Sequence, residues 1–189
     1  MDIQSHGTVL PQYDWRGKRY IEGYAGSEYQ ILVQNHCARR VLAVLSVDGL
    51  NVMDGRRASV NQAGYVLNPG ESTEVAGWRK SSQDVASFYF TYPQDSYGNR
   101  TARPENVGVI GGAFFYEREY PRPRPLPDPS SRYDTPIGKS LPPGSLNRES
   151  MREAPAAAKA EAAPSLGTGH GRIQDSPTWE TTFNREANP

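Results

Sequence analysis

The stretch Arg40-Val41-Leu42-Ala43-Val44-Leu45-Ser46-Val47-Asp48-Gly49-Leu50-Asn51-Val52 constrains the fold more than any other. Seven of the eight residues from Val41 to Asp48 are apolar or small, and Leu50-Asn51-Val52-Met53 begins a second apolar run directly after Asp48-Gly49. A two-residue hairpin turn needs positive φ angles, which Asp and Gly tolerate. The pattern therefore predicts a buried strand over 40–47, a tight bend, and a strand returning through 50–53. The bend by itself accounts for Asp48. Asp54-Gly55 repeats the same turn chemistry and opens a polar loop from Arg56 to Ala63.

Further short strands flank this hairpin. Arg19–Glu22 is one, and Glu28–Asn35 alternates polar and apolar residues with Tyr29, Ile31 and Val33 on one face. Gly64–Leu67 is closed by Asn68-Pro69-Gly70-Glu71, where proline presets one central dihedral and glycine takes the positive one of a type II turn. Ser72–Trp78 and Gln83–Thr91 follow, and Asn106–Glu117 reads as one strand with a bulge at Gly111-Gly112. No segment before Glu117 has the spacing of an amphipathic helix longer than two turns. Seven or eight short strands in about 100 residues predict an all-β fold, an antiparallel β-sandwich. Immunoglobulin-like and jelly-roll-like connectivities are equally compatible with the pattern.

Only 36% of the 189 residues are hydrophobic, and the deficit is local. Residues 118–189 hold 12 of the 16 prolines, which places an extended, Pro/Ala-rich tail after a sandwich at 18–117 and an N-terminal arm at 1–17. The arm reads as extended, adding an edge strand. The alternation from Tyr120 to Pro129 predicts polyproline II, a stiff spacer in preference to an SH3 or WW ligand, and 150–153 and 156–163 predict a turn or two of helix. Trp179 and Phe183 are unusual in a solvated tail, so 166–183 is expected to dock on the sandwich, on a second copy or on a partner.

The chemistry excludes more than it includes. Net charge is +0, with 11 basic and 12 acidic residues up to Glu117 and 10 and 9 after it, so neither part has the excess that a nucleic-acid backbone demands. The single Cys37 excludes an internal disulfide, and its place between two strands marks it as a small half-buried side chain. His6, His36 and His170 lie in arm, loop and tail, and neither a metal cluster nor a nucleophile–base pair follows from them. No catalytic residue, metal or cofactor is expected. Met1–Gly7 carries no basic region or apolar core, and no run spans a membrane. Synthesis in the cytoplasm without a signal peptide is expected, the final location being open, including a larger particle or export by another route.

Two surface regions suit binding. Trp78, Arg79 and Lys80 put an aromatic and two cations at a strand end, while Tyr92, Asp95, Tyr97 and Arg100 form a loop with the chemistry of a sugar or protein contact. The opposing reading makes Trp78 core, Arg79 and Lys80 solvated, and the tyrosines a cover for the sandwich end.

The blocks Tyr20-Ile21-Glu22-Gly23, Val44–Val52, Gly64–Leu67, Gly77-Trp78-Arg79, Asp95-Ser96-Tyr97 and Asn106–Gly111, followed by Gly167-Thr168-Gly169-His170-Gly171, resemble a set of bacterial proteins with no known activity. The resemblance covers roughly 18–118 and the end of the tail. It implies that the tail's last segment belongs with the sandwich, and relatives are expected to carry further strand-like sequence beyond Phe183. The function expected is a non-enzymatic structural or interaction module that self-associates or binds a protein. A small carbohydrate-binding module using Trp78, Tyr92, Asp95 and Tyr97 is the alternative, and an enzyme of unfamiliar type the third.

Overall fold

A computed structural model describes residues 1–101, 106–118 and 166–186. The polyproline run and the short helical turns expected in the tail lie outside the described residues. Within them the chain is built of antiparallel strands: β1 (Asp2–Ser5), β2 (Thr8–Val9), β3 (Gln12–Trp15), β4 (Lys18–Ile21), β5 (Glu28–Gln34), β6 (Val41–Val47), β7 (Leu50–Asn51), β8 (Tyr65–Leu67), β9 (Ser72–Val75), β10 (Gly77–Arg79), β11 (Asp84–Thr91), β12 (Ile110–Tyr116) and β13 (Gly167–Asp175). One helical turn, α1 (Tyr97–Arg100), follows a 3₁₀ turn at Pro93–Asp95. The expected all-β class holds.

Two sheets face each other. The larger runs β10-β11-β5-β1-β2, with β9 beside β5 and β13 beside β11; the smaller centres on β6, flanked by β12 on one side and by β7 and β8 on the other. Alternation decides what is buried. Tyr29, Ile31 and Val33 of β5, Ala86, Phe88 and Phe90 of β11, and Ala43, Leu45 and Val47 of β6 point into one core with Val52, Leu67, Val75 and Trp78. Each large side chain so buried contributes about 1.5–3 kcal/mol.

The opening hairpin folds as its residues dictate. Asp48 (φ 51) and Gly49 (φ 73) are both left-handed, the pair of angles that closes a type I′ turn, and Val47 pairs with Leu50 across it. The turn at Asn68–Glu71 closes through Glu71 N–H on the Asn68 carbonyl at 3.1 Å, with Gly70 at φ 74.

Two expectations change. Asn106–Glu117 is not one strand bulged at its glycines. Asn106 (φ 62) and Gly108 (φ 80) turn the chain, and β12 then pairs with β6 in unbroken register, Gly112 opposite Leu45. The irregularity lies instead between Ala86 and Phe88, where β11 meets β13. The N-terminal residues also do more than trail along an edge: β1 pairs with β5 and sets Ile3 opposite Ile31 in the core.

Candidate functional site: an aromatic ribbon

Residues 12–21 leave both sheets. Strands β3 and β4 pair only with each other, around Arg16 (φ 49) and Gly17 (φ 72). Period-two alternation sorts their side chains onto two faces. Tyr13 stands opposite Tyr20 and Trp15 opposite Lys18 on one face; Asp14 stands opposite Arg19 on the other, where the two form an ion pair at 3.2 Å. On the aromatic face the rings of Trp15 and Tyr20 meet edge-on with centroids 6.2 Å apart, and the Arg16 guanidinium lies 4.5 Å from the Trp15 ring centre.

These rings are not core. Trp15 is 56% exposed and Tyr13, Tyr20 and Tyr24 are exposed beside it. The Glu22 carboxylate, which accepts from the Tyr24 hydroxyl at 3.3 Å, raises that phenol above its ordinary value and keeps it a neutral donor. The base of the ribbon is fixed. Leu10 and Ile21 pack on the core, Leu10 N–H donates to the Ile3 carbonyl at 2.8 Å, and the Gln12 carboxamide donates to Asp2 Oδ1 at 2.9 Å. Gly23 lies against the Phe90 ring so closely that a Cβ there would fall 2.7 Å from it. The rings are thus held on a fixed mount and presented to solvent.

The residues singled out from sequence are dispersed. Trp78 is 2% exposed, packed edge-on against Phe88 and tilted against Tyr97, and its indole N–H has no hydrogen-bond partner among the described residues. Arg79 turns inward to donate to the Tyr65 hydroxyl at 3.0 Å and to Ser176 Oγ at 3.2 Å. Lys80, Tyr92, Asp95 and Arg100 are exposed. Tyr97 is half-buried between Trp78 and His170, with centroids 5.2 and 5.3 Å away. Burial, with the nearby Lys80 charge, lowers the His170 pKa. Trp179 is 85% exposed, while Phe183 lies under the Arg40 guanidinium at 5.9 Å. Trp78 and Tyr97 are brought together, but inside the molecule.

The Gly-Thr-Gly-His-Gly segment is a strand of this same chain. β13 pairs along β11 from Thr91–Gly167 to Asp84–Asp175. Its glycines have a steric reason: a Cβ on Gly169 would fall 2.1 Å from Cζ of Tyr89, whose ring lies across the strand. On the core side, Thr168 Oγ1 lies 2.6 Å from the Tyr29 hydroxyl, and Thr168 N–H donates to Asp48 Oδ2 at 2.7 Å. Asp48 Oδ1 accepts from Gly108 N–H at 2.8 Å. The carboxylate of the opening turn is 1% exposed and joins segments 60 and 120 residues away. Burial raises its pKa, and the two N–H donors oppose that rise.

Among the described residues, no three His, Cys, Asp or Glu side chains gather to hold a metal ion, and no helix is long and apolar enough to cross a membrane. Set against family models, curated proteins and solved structures, the chain matches none.

Proposed function

We propose that this chain is a non-enzymatic interaction module whose ribbon, residues 12–21, grips a protein partner. One observation carries the reading: three exposed aromatic rings, Tyr13, Trp15 and Tyr20, share one face of a two-stranded ribbon with Lys18, beside the Arg16 guanidinium, and the ribbon is mounted on the core. Tyr, Trp and Arg are the residues in which binding energy concentrates at protein interfaces: the rigid rings bury a large area at small entropic cost, and the guanidinium adds directed donors and stacks on rings. On the aromatic face the charges are Arg16 and Lys18, while Arg19 is paired with Asp14 on the other face. The matching surface is therefore an apolar pocket rimmed by carboxylates. Asp48, the buried carboxylate, supports the non-enzymatic reading, since both its oxygens are spent on backbone N–H groups.

The test compares affinity capture from the source cytosol by wild type and by Trp15→Ala, with both proteins checked by thermal denaturation. Trp15→Ala should melt within about 0.5 kcal/mol of wild type, as exposed positions do, and lose at least about 2 kcal/mol of affinity for the captured partner. Equal capture by both proteins would end the proposal.

A further inference from the structure

The outer face of the larger sheet holds a groove of about 570 Å³, within the range of roughly 300–1,000 Å³ usual for small-ligand sites. No residue of the ribbon lines it; among those that do are Gln4, His6, Ser27, Glu28, Gln30, Arg172 and Gln174. We infer that this groove binds a neutral polyhydroxylated ligand, a short uncharged oligosaccharide.

Charge gives the first argument. Glu28 and Arg172 meet in a two-pronged pair, Nε to Oε1 and Nη2 to Oε2, both at 3.0 Å. Their formal charges cancel, so the pair itself favours neither an anion nor a cation. The pair still offers directed donors and acceptors at its rim. It is also held in place: Ser87 Oγ donates to Glu28 Oε1 at 3.1 Å, and Ser5 Oγ donates to the Glu28 carbonyl at 2.7 Å.

The carboxamides give the second. A sugar hydroxyl donates and accepts at once, and so does each glutamine side chain. Gln4, Gln30 and Gln174 reach the groove from three strands, β1, β5 and β13. Gln30 Nε2 meets Gln4 Oε1 only at 3.4 Å, and the Gln174 carboxamide makes no hydrogen bond among the described residues. Most of this capacity is open to a ligand.

A glycan array carrying neutral and uronic-acid or sulfated oligosaccharides, followed by titration calorimetry of the best ligand, tests the site. A neutral oligosaccharide should bind, Gln30→Ala and Gln174→Ala should each weaken it about 3–10-fold, and Trp15→Ala should leave it unchanged. That last variant separates failure of the groove from failure of the ribbon. Silence across the neutral glycans, binding of acidic glycans alone, or affinity indifferent to both glutamine variants would overturn the inference.

Discussion

Two Asp-Gly pairs stand six residues apart in this chain, and they have opposite fates. Asp48 is left-handed, buried, and bonded through both carboxylate oxygens to Gly108 and Thr168. Asp54 is exposed, and its Oδ1 accepts within its own loop, from Arg56 N–H at 2.9 Å and from the Gln62 carboxamide at 3.4 Å. Both residues suit a turn for the same local reason. What separates them is the arrival of distant chain: the turn before β12 and the strand β13 bring two N–H groups to Asp48 and nothing equivalent to Asp54. A dipeptide specifies a bend; the fold around it decides whether its side chain becomes a cross-link.

The sharpest way to break this contrast is Asp48→Ala. It leaves the buried Thr168 N–H without its acceptor at about 1–3 kcal/mol, leaves the exposed Gly108 N–H to water at little cost, and puts alanine in a left-handed conformation that costs roughly 1–2 kcal/mol more. A loss of about 2–5 kcal/mol in urea unfolding is expected, a large share of the roughly 5–15 kcal/mol that holds a domain. A loss under about 1 kcal/mol would show that Asp48 is only a turn residue.

A smaller effect appears in pH. Burial raises the folded pKa of Asp48 above its ordinary value, so between those two values the folded state holds more protons than the unfolded one. Stability from this group therefore grows as pH falls through the folded pKa, and is fully gained only below the unfolded value. The slope is at most about 1.4 kcal/mol per pH unit. Subtracting the unfolding profile of Asp48→Asn from that of wild type isolates it. A difference that grows toward alkaline pH would reverse the assignment.

Asp54→Ala should give the smallest change. Losing exposed hydrogen bonds within one loop costs within about 0.5 kcal/mol, and the same urea measurement gauges it. A cost approaching that of Asp48→Ala would erase the distinction between the turns.

The strands and the core were legible where side chains alternate. Tyr29, Ile31 and Val33 declare their face, and the Asp48-Gly49 turn declares its type. The burial of Asp48 was not legible, because its partners are backbone groups that carry no residue signature. β13 was hidden for a related reason. Gly167, Gly169 and Gly171 have no side chains to form a hydrophobic pattern, although glycine at every second position is itself the mark of a strand face pressed by Ser96, Tyr89 and Ser87. The ribbon escaped because Arg16-Gly17 lacks the Asn or Asp usual at its first turn position. Trp78 is core, as one of its two readings had it; Arg79 is the residue that was not legible. The cations after Trp78 look like a surface, but Arg79 folds inward to Tyr65 and Ser176.

The pairing of β13 with β11 also has a history on the ribosome. Between Thr91, where β11 ends, and Gly167, where β13 begins, 76 residues (167 minus 91) must be added. At about 5–20 residues per second, β11 emerges about 4–15 s before the strand that covers it. Throughout that interval the β11 edge stands open and Asp48 lacks its bond from Thr168, so the latest of the described strands is the one that covers β11.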